Sequence, residues 1–160
     1  MASGLDRFVE AARSAGIDPQ VRRFPEGTKT AEDAARAIGC DVAQIVKSLV
    51  FVADGEPVLA LTSGSHRVDT ALLGALRGGG DVRQATPEEA RAATGFAVGG
   101  TPPFGHPSPV PTFVDRTLLS YETVWAAAGT PDSVFPLSPV DLVRLSKGSV
   151  AMFHASPPRG

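Results

Sequence analysis

Lys47 lies in the run Ile45-Val46-Lys47-Ser48-Leu49-Val50-Phe51, an apolar neighbourhood where an ammonium must either snorkel out to water or meet an anion. Some fifty residues later, Gly99-Gly100-Thr101-Pro102-Pro103 opens a stretch reaching to Pro107 that is too rich in Gly and Pro for a regular element. Glycine has no Cβ to block the approach to its N–H, and proline stiffens a loop. The stretch therefore reads either as a structural turn or as a cradle of backbone donors for an oxyanion or a phosphate. Spacing alone leaves both alternatives open.

The other chemistry-bearing residues are sparser. His66, His106 and His154 are far apart in the chain and have no companion ligands at metal spacing, and Cys40 is the only cysteine. This argues against a zinc site and excludes an internal disulfide. His106 follows the glycine loop and reads as a surface histidine before it reads as a base. Asp115 reads as a strand-end or turn carboxylate, and no Ser-His-Asp set is apparent. Arg22, Arg23 and Lys29 form a small basic group whose default place is a solvated edge.

The frame that must position these residues is 160 residues long, with 42% hydrophobic and 20% charged residues. Such a chain has the composition of one globular domain. A formal charge of -2 argues against a protein that coats nucleic acid, though a few well-placed cations suffice to grip the end of an RNA strand. The apolar runs Leu49 to Ala53 and Val58 to Leu61 are far shorter than the roughly 20 residues of a membrane helix. The N-terminal stretch lacks the cationic head and unbroken apolar core of a signal peptide, so the cytoplasm is expected.

Apolar spacing at Leu5, Phe8, Val9 and Ala12 predicts a first helix stopped at Gly16. An extended piece at Val21 to Phe24 follows, and Thr30 caps a helix over Ala31 to Ile38 that Gly39 ends. Asp41 can cap a short helical turn carrying Val42, Ile45, Val46 and Leu49, which puts Lys47 near the end of that turn. Asp54-Gly55 predicts a hairpin between Leu49 to Ala53 and Val58 to Thr62. Asp69 caps a helix over Ala71 to Leu76, and Val82 to Ala85 returns as a strand. Thr86-Pro87-Glu88-Glu89 signals a helix ending at Gly95. Strands are expected at Pro111 to Asp115, Tyr121 to Ala126 and Ser133 to Leu137, a helix from Ser138, a closing strand at Ser149 to Phe153, and a frayed tail over Ala155 to Gly160. The sum is a mixed α/β (α+β) single domain, a largely antiparallel twisted sheet or partial barrel with helices around it.

Four segments in this order carry a resemblance: Thr-Ala-Glu-Asp-Ala-Ala (30 to 35), Ile-Val-Lys-Ser-Leu-Val-Phe (45 to 51), Thr-Gly-Phe-Ala-Val-Gly-Gly-Thr-Pro-Pro-Phe-Gly (94 to 105) and Pro-Thr-Phe-Val-Asp (111 to 115). Together they resemble the YbaK/ProX family of free-standing aminoacyl-tRNA deacylases, similar in fold to the editing insertion domain of bacterial prolyl-tRNA synthetases. The resemblance spans roughly residues 25 to 150. It implies that Lys47 matches the family's essential lysine and that Gly99, Gly100 and Thr101 match its Gly-Gly-Ser/Thr-Pro loop. Thr30, Ser48, Pro102, Pro103 and His106 are then the candidate substrate-binding residues.

The implied activity is hydrolysis of the ester of a mischarged tRNA bearing a small noncognate amino acid, with tRNA for proline as the associated tRNA. Water attacks the ester, the loop N–H groups hold the oxyanion, and Lys47 acts as a charge rather than a nucleophile. No cofactor or metal is called for. The implied partner is the aminoacyl-tRNA acceptor end, with prolyl-tRNA synthetase as a second candidate; DNA and membranes are not expected partners. The alternative is a non-catalytic module that uses the same pocket to bind an aminoacyl-tRNA or a synthetase. The alanine-directed branch carries Asn after its lysine and a His before a later Pro-Leu, where this chain has Ser48 and Phe135. The cysteine-directed branch tends to have a serine shortly before a Gly-Gly pair, where this chain has Ala127-Ala128-Gly129. The amino acid is therefore left open.

Overall fold

A computed structural model describes residues 3–24 and 30–155. Lys29 of the expected basic group and residues 156–160 of the expected tail lie outside the described residues. The helices are α1 (Gly4–Ser14), α2 (Ala31–Ile38), α3 (Thr70–Arg77), α4 (Pro87–Thr94) and α5 (Pro139–Ser146). The strands are β1 (Arg22–Arg23), β2 (Ile45–Ala53), β3 (Glu56–Ser63), β4 (Val82–Gln84), β5 (Thr112–Asp115), β6 (Val124–Ala127), β7 (Ser133–Leu137) and β8 (Ser149–Ala151). No described helix is long and apolar enough to cross a membrane.

The helix starts follow the side chains that satisfy their free N–H groups. Thr30 accepts from the Asp33 amide, Asp69 from Ala71 and Leu72, and Ser138 from Asp141. At α4 the capping box is complete, with the Thr86 hydroxyl on the Glu89 amide and the Glu89 carboxylate on the Thr86 amide. The hydrogen bond from Arg83, and then the one from the Thr86 backbone, hold the Glu89 carboxyl down to about 2, against its ordinary 4.5. Its contribution is therefore complete above 4.5 and is lost as the pH falls to about 2. Thr86→Ala should lower the urea-unfolding free energy at neutral pH by about 1 kcal/mol; no change would mean that this cap is redundant.

The strands form a mixed sheet in the order β1-β7-β6-β2-β3-β5-β8, with β4 also paired to β2. Antiparallel pairing dominates through the β2–β3 hairpin, which runs from Val46↔Ser63 to Ala53↔Glu56. The β2–β6, β3–β5 and β5–β8 pairs are parallel. The mixed α/β class is the one expected from the sequence.

One local expectation is corrected. Only Val42–Gln44 form a helical turn, of the tight 3-10 kind, and Lys47 lies inside β2 rather than near the end of that turn. The reason is that both faces of β2 are buried. Val46 and Val50 join the main core, while Phe51 and Ala53, with Leu49 beside them, join a second core. A strand apolar on both faces also places apolar residues at helical spacing, so periodicity could not separate the two. The strand expected from Tyr121 likewise begins only at Val124, after a 3-10 turn at Arg116–Ser120 that the Asp115 side chain caps.

Helices cover both faces. Phe8 and Ala12 of α1, Ala90 of α4 and Leu142 of α5 enter the main core, where the Phe8 ring lies 5.3 Å from Phe104 and 4.7 Å from Phe135. Leu73 of α3 enters the second core, and Ala34 and Ala35 of α2 pack on Ile45 in a third. Burying the Phe8, Leu73 and Leu142 side chains contributes about 1.5–3 kcal/mol each. The β2 strand is thus held from both sides, a rigid support for Lys47 and Ser48.

Candidate active-site cleft

The parallel β2–β6 pairing covers only Ile45↔Trp125 and Val46↔Ala126, and β4 takes the same edge of β2 only from Phe51. The Gly64 N–H donates to the Ile45 carbonyl at 2.7 Å, which sets the phase of the β2–β3 ladder. Odd-numbered residues of β2 direct their backbone groups to β3, and even-numbered ones point away. Ser48 therefore turns its N–H and C=O into the gap between β6 and β4. A cleft of about 310 Å³ opens there. Thr30, the cap of α2, forms one wall with Ala31 and Ala34 of that helix, β2 supplies Lys47 and Ser48, and Val98, Gly99, Thr101, Trp125 and Pro131 complete the facing side.

The Lys47 ammonium donates a hydrogen bond to the backbone carbonyl of His66. Burial pushes its pKa below the ordinary lysine value; Arg67 acts in the same direction, while Glu32 and Asp115 oppose it. His66 is itself fixed. Its amide donates to the Ser63 carbonyl at 2.9 Å, its Nδ1 pairs with Asp115 Oδ2 at 2.8 Å, and its ring stacks on His154 with centroids 3.8 Å apart. Asp115 is 1% exposed and also accepts the amides of Ser63 and Thr117, each at 3.0 Å.

The glycine loop is built on a carbonyl. The Ala97 oxygen accepts the Gly100 N–H at 3.0 Å and the Thr101 hydroxyl at 3.2 Å. Gly99 adopts φ 86°, a left-handed conformation that favours glycine. A Cβ on Gly100 would sit 2.7 Å from the Thr130 backbone, so only glycine lets the loop lie against the turn that joins β6 to β7. That turn is tied by the Thr130 hydroxyl to Asp132 Oδ1 at 2.7 Å and to Ser133 Oγ at 2.6 Å, with Arg23 on Asp132 Oδ2 at 3.0 Å. The Thr130 hydroxyl, then the Arg23 guanidinium, hold the Asp132 carboxyl below its ordinary value.

Of the residues expected at the site, the cleft brings together Lys47, Ser48, Thr30, Gly99 and Thr101. Gly100, Pro102 and Pro103 are buried and lie outside its lining, where they brace the loop. The Gly100 N–H is committed to Ala97, which leaves Gly99 and Thr101 as the loop residues whose N–H groups are not spent there. His106 is likewise outside the lining: it pairs through Nε2 with the Pro102 carbonyl at 2.8 Å and meets Phe96 edge-on. Burial holds its imidazole below the ordinary histidine value, so at neutral pH it is an uncharged donor that shapes the loop. The Thr30 hydroxyl is engaged as the α2 cap, and Ser48 Oγ is buried with no hydrogen-bond partner among the described residues.

The chain of contacts from Asp115 to the His66 ring, and from the His66 carbonyl to Lys47, has no signal in the sequence. Forty-nine residues separate His66 from Asp115, and no periodicity links a loop histidine to a strand-end acid. At the mouth, Arg22 lies over the Trp125 ring at 5.6 Å and over Phe24 at 5.5 Å, which sets part of the basic group beside the cleft.

The sequence matches the family description "Aminoacyl-tRNA editing domain" over residues 25–145. It is 31% identical over 131 residues to the uncharacterized protein YwhH of Bacillus subtilis, covering 81% of this chain and 83% of that one. It is 38% identical over 92 residues to a proline–tRNA ligase of Nitratidesulfovibrio vulgaris, covering 58% of this chain but only 16% of the ligase. Among solved structures, a protein proposed to be a trans-editing enzyme for prolyl tRNA synthetase superposes with a TM-score of 0.91 at 43% identity, covering 98% of this chain and 99% of that one. With Lys47 and the glycine loop meeting at one cleft, and with the family match running through both, this chain belongs to the aminoacyl-tRNA editing domain family.

Proposed function

We propose that this protein is a trans-editing hydrolase that cleaves the ester of a mischarged aminoacyl-tRNA carrying a small noncognate amino acid, with tRNA for proline as the first candidate. The observation that carries the reading is the convergence of a half-buried lysine and two loop residues on one cleft of about 310 Å³. That size is at the lower end for ligand pockets and suits a small amino acid with part of its ribose. The described lining contains no carboxylate and no imidazole, and in the proposed reaction the proton lost by water passes to the ribose hydroxyl beside the ester. Water oxygen adds to the ester carbon, and the carbonyl oxygen becomes an oxyanion facing Lys47 and the Gly99 and Thr101 amides. The ester C–O bond then breaks, the departing ribose oxygen takes a proton relayed through the neighbouring ribose hydroxyl, and free amino acid and tRNA result.

Deacylation assays on a panel of charged tRNAs test this reading. Hydrolysis of one or a few small aminoacyl esters is expected. Binding without hydrolysis across the panel would replace the enzyme with a binding module.

Arg22 and Trp125 at the mouth suit the acceptor end, because a guanidinium over an aromatic ring offers both charge and a stacking face. Arg22→Ala should raise KM about fivefold, equivalent to ~1 kcal/mol, with kcat unchanged and a weaker dependence on salt. An unchanged KM at low ionic strength would remove Arg22 from the interface.

A further inference from the structure

Lys47 has four rotatable side-chain bonds, and holding a lysine in one geometry opposes about 2 kcal/mol of rotamer entropy. The group that holds it is unusual for a cation. No ion pair to Lys47 forms among the described residues; its hydrogen bond goes to a main-chain carbonyl, that of His66. A carboxylate in direct contact would neutralise the ammonium and weaken its field in the cleft. A neutral carbonyl orients it and leaves the charge free for a developing oxyanion.

That carbonyl belongs to the turn Ser63-Gly64-Ser65-His66, whose small residues do little by themselves to fix its direction. One oxygen does so instead. Asp115 Oδ2 accepts the Ser63 amide at 3.0 Å and pairs with His66 Nδ1 at 2.8 Å, so a single atom staples both ends of the turn. The His66 Nδ1 proton is therefore donated to a buried carboxylate, and the far face of the ring is closed by His154. The Ser63 hydroxyl donates to the Ala43 carbonyl at 2.8 Å and anchors the same end.

We propose that Asp115 and His66 are positioning residues for Lys47: the buried carboxylate orients the imidazole, and the backbone carbonyl of the same histidine holds the ammonium at the cleft. His66 does not line the cleft, so it acts through Lys47 rather than on the ester. The inference rests on the editing reading of the cleft for its kinetic consequence, but not for the contact itself.

The chain has three lysines, Lys29, Lys47 and Lys147, so lysine-selective isotope labelling gives an ammonium spectrum simple enough to follow Lys47, assigned by its loss in Lys47→Ala. In His66→Leu the imidazole donor is gone, and the Lys47 signal is expected to shift while that of Lys147 stays. In His66→Asn the amide can again donate to Asp115, and the wild-type signal is expected to return. Asp115→Asn provides the second perturbation, read in place of His66→Leu if that variant does not fold.

In deacylation, His66→Leu should lower kcat by about ten- to hundredfold, the range for a misplaced catalytic group, with KM within about twofold and recovery in His66→Asn. Adding His66→Leu to Lys47→Ala should cost nothing further, the signature of residues acting through one another. A Lys47 signal unmoved in a folded His66→Leu or Asp115→Asn variant, or a full additional loss in the double variant, overturns the proposal. If the wild type hydrolyses no charged tRNA, the editing reading falls, while the lysine spectrum still decides whether the contact exists.

Discussion

Lys47→Ala should lower kcat/KM for deacylation by about a hundred- to a thousandfold, the loss usual for one electrostatic stabiliser of an oxyanion. The folded state should be nearly indifferent. The ammonium is half-buried with its pKa driven down by desolvation, so its charge opposes folding, while its hydrogen bond to the His66 carbonyl favours it. These terms oppose each other, and stability should change by no more than about 1 kcal/mol. The sign also works out in pH. With a folded pKa below the unfolded 10.5, the unfolded chain holds the proton longer, so the cost of the charge is present at neutral pH and is relieved as the pH climbs toward 10.5. Lys47→Met, which fills the space without a charge, should therefore be at least as stable as the wild type at pH 7 and as inactive as the alanine variant. Chemical unfolding and single-turnover deacylation on the same samples check both halves. Near-normal rates would remove Lys47 from the chemistry.

Gly100→Ala should act on both quantities at once. The added methyl would lie 2.7 Å from the Thr130 Cα and carbonyl carbon, a backbone contact that no rotamer change relieves, so the loop must lift from the β6–β7 turn. Overpacking of this kind costs about 1–3 kcal/mol. The lift also moves Gly99 and Thr101, whose amides hold the oxyanion in the proposed reaction, and a displacement near 1 Å can cost about a hundredfold in rate. The expected result is a destabilised variant with kcat lowered about a hundredfold per folded molecule. A variant that loses stability but keeps its rate would mean that the loop merely closes the fold and donates nothing to the oxyanion.

The contrast between these substitutions shows which parts of the site could be read from the chain. The N-caps at Thr30, Asp69, Thr86 and Ser138, the Asp54-Gly55 hairpin and the loop after Phe96 are local features. Each is decided by hydrogen bonds or backbone preferences within a few residues, and each appears where expected. Lys47 and the Gly99–Thr101 pair were legible as candidates because their residue types were out of keeping with their surroundings. The state of β2 was not legible, because burial on both faces erased the alternation that marks a strand. Nor was the division of labour within the loop. That the Gly100 amide is committed to Ala97 and that His106 turns to Pro102 depends on how the loop settles against a turn some thirty residues away.

Sequence by itself determined the mixed α/β class, the order and capping of the helices, the candidate lysine and glycine loop, and, through motif resemblance, the editing family. Tertiary structure decided that Lys47 projects from a strand, that the sheet splays between β6 and β4 to open a cleft beside it, and that Asp115, through His66, anchors the ammonium. Local rules reach only a few residues along the chain. The cleft depends instead on which strands share an edge and where their pairing stops, and the buried contacts that hold Lys47 join residues that only the folded sheet brings within hydrogen-bond distance.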